Sequence, residues 1–170
     1  MPETEVSRQV GRPERWEDLP HFSYTQLSTY LTCPRRYFYR YVQRREPEDV
    51  AAALLFGKAV HLTVATYYEA VMRGETPPSG EELAELFRAE WREAVDSPVP
   101  VLYPKGETAA CLEKQGMAAV KAFRLWAQPQ RVLGVEEPFE VELVDGDGTP
   151  LQRRLVGVFD LIEADEEGTP

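Results

Sequence analysis

Val132-Leu133-Gly134-Val135-Glu136-Glu137-Pro138-Phe139-Glu140-Val141-Glu142-Leu143, then Asp145-Gly146-Asp147-Gly148, then Leu151-Gln152-Arg153-Arg154-Leu155-Val156-Gly157-Val158-Phe159-Asp160-Leu161-Ile162, is where the chain changes character. Before Pro129 apolar residues recur at helical spacing. After it, β-branched and aromatic residues alternate with polar ones on both sides of an acidic, glycine-containing turn, which is the pattern of an antiparallel hairpin. The reading is an α+β fold with a large N-terminal helical region (23–128) and a β-hairpin (strands within 131–163) at the C-terminal end. Acidic residues and Gly168 then look like a second turn leading into a third strand beyond Pro170. A lone hairpin leaves a long sheet edge open, which folded domains avoid, so residues 23–170 read as the N-terminal part of a truncated core.

Working back from the hairpin, Leu112, Met117, Val120, Phe123 and Leu125 predict a helix from about Thr108 to Ala127. Ser79-Gly80-Glu81-Glu82 has the form of a capping box, in which the serine hydroxyl and the glutamate carboxylate each accept an amide proton from the other's backbone. It precedes Leu83, Leu86, Phe87, Trp91 and Val95, an amphipathic helix that stops before Pro98; 97–106 reads as a proline-rich loop. The longest periodic segment runs from Val50 to Met72, with Gly74 placed for a left-handed cap. Ser23-Tyr24-Thr25-Gln26 is a second capping box, opening a short helix through Leu31. Pro34 suits the first turn of another helix that carries Tyr37, Phe38, Tyr41 and Val42 and ends near Glu46-Pro47. Residues 1–22, polar and charged, read as a flexible tail.

The 170 residues are 43% hydrophobic, sufficient for one domain with a core, and carry a net charge of -10. That charge argues against a uniformly nucleic-acid-binding surface and leaves room for a local basic stripe. No apolar run approaches the roughly 18 residues of a membrane span, so no membrane partner is expected. The start at Met1 has no signal-peptide character, and Cys33 and Cys111 form no CxxC pair, both consistent with a cytoplasmic protein.

Four segments, Ser23-Tyr24-Thr25-Gln26-Leu27, Cys33-Pro34-Arg35-Arg36-Tyr37-Phe38-Tyr39, Gly57-Lys58-Ala59-Val60-His61 and Gly157-Val158-Phe159-Asp160-Leu161-Ile162, occur in this order over about 22–165. Together they resemble the RecB-type nucleases of the PD-(D/E)XK superfamily, which include helicase-linked exonuclease domains and CRISPR-associated iron-sulfur nucleases. The resemblance implies a truncated restriction-endonuclease-like core and a divalent-metal-dependent deoxyribonuclease acting as an exonuclease or in DNA end processing, in recombination, repair or CRISPR adaptation. It further implies that Asp160 binds catalytic Mg2+ or Mn2+ with help from His61, and that a Glu-x-Lys on the next strand completes the centre. Without that pair the chain by itself is expected to be inactive. Cys33 matches the first ligand of the 4Fe-4S cluster of the iron-sulfur members, whose other cysteines would lie past Pro170. A helicase domain or subunit is an implied partner beside DNA.

The residues themselves also allow plainer readings. An aspartate within Leu155–Ile162 sits among apolar neighbours, where a cation would relieve an unpaired charge, but it could instead pair with Arg153 or Arg154. A single histidine on an apolar helix face is as a rule a hydrogen-bonded core residue, and Gly57, one turn before His61, reads as a point of close backbone approach. Glu136 and Glu140, on the strand before the hairpin turn, could face the same site or simply face solvent, and solvent ranks higher. Arg35, Arg36, Arg40, Arg44 and Arg45 come with no acid before Glu46. With Tyr37 and Tyr41 they form a nucleic-acid-binding ridge, Arg36, Arg40 and Arg44 at one-turn spacing, or else a basic face paired with the acidic helix over 81–93. Cys111 reads as buried core, and a zinc site from His21, Cys33, His61 and Cys111 lacks any close ligand spacing. A non-catalytic nuclease-like DNA-binding or protein-interaction module is the alternative to the enzyme.

Overall fold

The computed structural model describes residues 21–129 and 131–165. The expected tail falls, over 1–20, outside them, as do the acidic residues and glycine after Asp165. Described structure begins with a short strand, β1 (His21–Ser23), and continues through α1 (Tyr24–Thr32) and α2 (Pro34–Tyr37). Then come β2 (Val50–Ala51), α3 (Ala52–Met72), α4 (Gly80–Val95), β3 (Val101–Leu102), α5 (Ala109–Trp126), β4 (Arg131–Val144) and β5 (Pro150–Ala164). The architecture is mixed α+β, as a restriction-endonuclease-like core requires.

Local chemistry sets the helix ends. Ser23 Oγ accepts from the Gln26 amide at 3.2 Å while Gln26 Oε1 accepts from the Ser23 amide at 3.0 Å, and Ser79 with Glu82 repeats the arrangement. Gly74, at φ 70°, closes α3: its amide donates to Val71 and that of Glu75 to Ala70. The helix after Pro34 departs from expectation. It widens into a π-helical turn over Phe38–Val42, and Arg44 leaves it at φ 51°, so no α-helix continues to Glu46. The 97–106 segment is also not wholly loop, since Val101 and Leu102 pair in parallel with Val50 and Ala51.

The core lies among α3, α4 and α5. Leu83, Ala84, Phe87 and Trp91 of α4 are wholly buried against Ala59 and Tyr67 of α3 and Leu112 and Val120 of α5. Each large side chain there contributes roughly 1.5–3 kcal/mol of burial. Trp91 Nε1 donates to the Ala109 carbonyl at 3.1 Å, so the indole enters the core with its polar atom satisfied. Gly116 lets α5 approach α4 closely, because a Cβ there would stand 1.9 Å from the Phe87 ring.

α3 carries this core on one face and packs against β4 and β5 with another. β4 and β5 form the predicted hairpin; Asp145 Oδ1 holds its turn by accepting the amides of Asp147 and Thr149, each at 2.9 Å. The sheet has one more strand than expected, because β1 pairs in parallel with β5, Ser23 opposite Val156, giving the order β1-β5-β4. Three residues were too short a segment to carry a period-2 signal.

Candidate metal centre

His61 rises from α3 and Asp160 from the middle of β5, and α3 runs along the hairpin so that the two meet: His61 Nε2 lies 3.9 Å from Asp160 Oδ1. One further turn and more along α3, Tyr68 lies near Glu163 of β5; burial and then the Glu163 charge hold its hydroxyl above its ordinary pKa. The close partner of His61 is neither Asp160 nor a core group but Glu136 of β4, whose Oε1 contacts His61 Nε2. One donor atom from each of His61, Glu136 and Asp160 lies within 4.8 Å of the other two.

Glu136 thus does not point away into solvent. Its position follows from an irregularity in the hairpin. Val144 is opposite Pro150, and a ladder counted straight back from there would set Gly134 opposite Asp160. Between Val144↔Pro150 and Glu142↔Arg154, four residues of β5 are set against two of β4. The offset puts Glu136, between Val135↔Leu161 and Glu137↔Phe159, across from Asp160 and on the same face. Glu136 is at φ 53°, in the left-handed region that non-glycine residues disfavour. No composition or spacing signal reveals that offset; the sequence signal available was only that Glu136 lies on the neighbouring strand. Glu140 goes elsewhere and pairs with Arg154.

Three other expectations are corrected here. The Asp160 side chain is 75% exposed, so flanking apolar residues do not desolvate it: in a strand their side chains alternate between faces. Its alternative partners are otherwise engaged, Arg154 with Glu140 and Arg153 over the Phe22 ring. Gly57 meets nothing within 4 Å of where a Cβ would stand, so no backbone approaches it. Cys111 is exposed rather than buried, on the outer face of α5, where it accepts from Gln115 Nε2 at 3.4 Å. Among the described residues no metal-type cluster includes His21, Cys33 or Cys111, so the zinc quartet is not assembled.

The arginine-rich segment forms an arm that carries no buried residue. Arg35 and Arg45 lie over the Tyr39 ring at 5.5 and 4.7 Å, and Arg40 over Tyr41 at 5.4 Å, while Tyr37 packs on Tyr30 and Tyr41. Among the described residues none of these arginines pairs with a carboxylate. The acidic helix is served by others: Glu85 by Arg88 and Glu81 by Lys121. Arg36, Arg40 and Arg44 do not form a straight one-turn row, because the π-helical turn intervenes and Arg44 lies past the helix end. Cys33 is half-buried at the α1–α2 junction.

Residues 21–170 match a family model described as the PD-(D/E)XK nuclease superfamily. The chain belongs to the PD-(D/E)XK nuclease superfamily. Membership in that superfamily implies a metal-dependent nuclease with DNA as substrate. No curated protein and no solved structure matches the chain. No described helix is long and apolar enough to cross a membrane.

The donors fit a divalent cation. An imidazole nitrogen and two carboxylate oxygens suit Mn2+ or Mg2+, and ligands about 2.0–2.1 Å from a common ion sit up to about 4.2 Å apart, close to the observed spread.

Proposed function

We propose that this chain is part of a RecB-type nuclease that hydrolyses DNA phosphodiesters, as an exonuclease or in end processing during recombination, repair or CRISPR adaptation. The observation that carries this reading is the approach of His61 to Asp160, two groups brought together from positions 99 residues apart in the chain. A divalent ion bound there supplies Lewis acidity toward the phosphoryl oxygen and a more acidic attacking water. Asp160 offers an exposed carboxylate oxygen to that ion and His61 a nitrogen, each fixed by a rigid element. The chain alone is taken to bind DNA without cutting it, since this nuclease class also uses a Glu-x-Lys.

The arm supports the DNA part. Its arginines are free of carboxylates among the described residues, so their charge is available to phosphates, with Tyr37, Tyr39 and Tyr41 beside them. Parallel pairing of β1 with β5 roots α1 at Val156, four residues before Asp160 along β5, or about 13 Å at strand rise. The segment that carries Arg35, Arg36, Arg40 and Arg44 thus follows a helix that starts on the strand bearing Asp160. Cys33, at the α1–α2 junction, is assigned as one ligand of a 4Fe-4S cluster in the complete protein, and a helicase domain or subunit as the partner that feeds the strand. Both cysteines are free thiols, in keeping with action in the cytoplasm.

The test is binding of a labelled oligonucleotide at rising salt, with and without Mn2+. Affinity is expected to fall steeply with salt, to weaken when Arg36 and Arg40 become alanine, and to tighten with Mn2+ in the wild type but not in Asp160→Ala. Binding indifferent to both the arginines and Mn2+ would sink the reading. Mn2+-dependent cleavage lost in Asp160→Ala would overturn only the inactivity of the chain alone.

A further inference from the structure

We infer that Glu136 is a third protein ligand of the cation, so that His61, Glu136 and Asp160 form a site complete enough to hold Mn2+ within this chain. The inference rests on the proposed metal-dependent reading and adds a residue that neither the sequence motifs nor the superfamily match assigns.

Four observations carry it. The three donor atoms converge within 4.8 Å from three separate elements, α3, β4 and β5. Glu136 faces Asp160 only because the hairpin register is offset, and it holds a left-handed backbone that glutamate disfavours, at φ 53°. Two carboxylates sit side by side on one face, and among the described residues their one basic neighbour is His61, since the nearby Arg154 is taken by Glu140. Two like charges sharing one imidazole are undercompensated, and a divalent ion supplies the missing positive charge. Finally, the donors are part-exposed, His61 at 41%, Glu136 at 39% and Asp160 at 75%, so an ion can enter and keep waters for substrate exchange.

The experiment is an Mn2+ titration of the 170-residue chain without DNA, with free Mn2+ read by electron paramagnetic resonance and the melting temperature followed in parallel. Wild type is expected to bind one ion with a rise in melting temperature, because the ion ties α3 to both strands. Glu136→Gln and Glu136→Gly should each weaken binding by at least about tenfold, the loss typical of disturbing even an outer partner of a metal site. Asp160→Asn should do the same, and Glu140→Gln should match wild type. Glu136→Gly accepts the left-handed backbone, which guards against loss through misfolding. If Glu136→Gln and Glu136→Gly bind like wild type while Asp160→Asn does not, Glu136 merely hydrogen-bonds His61 and the inference is wrong, with the metal-dependent reading intact. If wild type takes up no Mn2+ at millimolar concentration, the inference also fails, and the Mn2+ dependence of DNA binding decides the broader reading separately.

Discussion

The two faces of α3 obey different rules. Toward α4 and α5 it presents Ala59, Thr63, Tyr67 and Ala70, all buried, and the side chains they meet, Leu83, Phe87 and Trp91, are shielded from water entirely. The buried Thr63 hydroxyl there donates back to the Ala59 carbonyl at 2.8 Å. Toward the hairpin α3 presents His61 to two part-exposed carboxylates, and the strand around them leaves Val158 and Phe159 about half exposed, at 51% and 50%. The core face is closed by apolar packing that needs nothing further. The hairpin face is held by few contacts, and its polar groups are brought together at a backbone cost, which is how a site differs from a scaffold.

The sharpest way to break that contrast is to attack the scaffold. Trp91→Ala should cost about 3–5 kcal/mol in denaturant unfolding, through the lost ring volume and the lost indole hydrogen bond to the Ala109 carbonyl. A loss of under about 1 kcal/mol would mean that the core does not rest on α4. Gly116→Ala should cost about 1–3 kcal/mol, since its methyl meets the Phe87 ring where neither helix can retreat without opening the core.

On the site face the sign should reverse. Glu136→Gly is expected to leave stability unchanged or raise it by up to about 1 kcal/mol, by releasing the left-handed strain, while Mn2+ binding is lost. A variant that loses stability as well would place Glu136 in the scaffold. The smallest effect concerns the outer surface of the helices. The hydrogen bond from Arg92 holds the Glu113 carboxyl below its ordinary 4.5, and the Ser79 amide does the same for Glu82 at the start of α4. Carboxyls whose folded pKa is depressed stabilise the protein above their unfolded value, and that contribution is lost as pH falls through the folded value. Unfolding midpoints should therefore drop below about pH 4.5. Glu113→Gln should flatten that drop. No flattening would show that the Arg92 pair contributes nothing measurable, as exposed pairs often do.

Much of this was legible from local chemistry. Both capping boxes, the α3 cap at Gly74, the three long helices and the hairpin follow from periods, caps and turns that involve residues a few positions apart. His61 and Asp160 were identifiable because their flanking motifs resemble a known family. Gly57 and Cys111 were misassigned, since a pattern of residue types does not show what stands opposite each one. β1 and β3 escaped because two or three residues carry no periodicity.

What the sequence determined by itself is the α+β plan and the positions of its longer elements, because these depend on nearest-neighbour backbone preferences, and it singled out His61 and Asp160 through the motifs around them. Tertiary structure alone decided that the arm is rooted beside β5, that Gly116 rather than Gly57 is the close-packed glycine, and that Glu136 stands across from Asp160. Each of those depends on a register or a helix approach set by all the surrounding contacts, and an offset of two residues in one ladder is enough to choose between a glycine and a ligand.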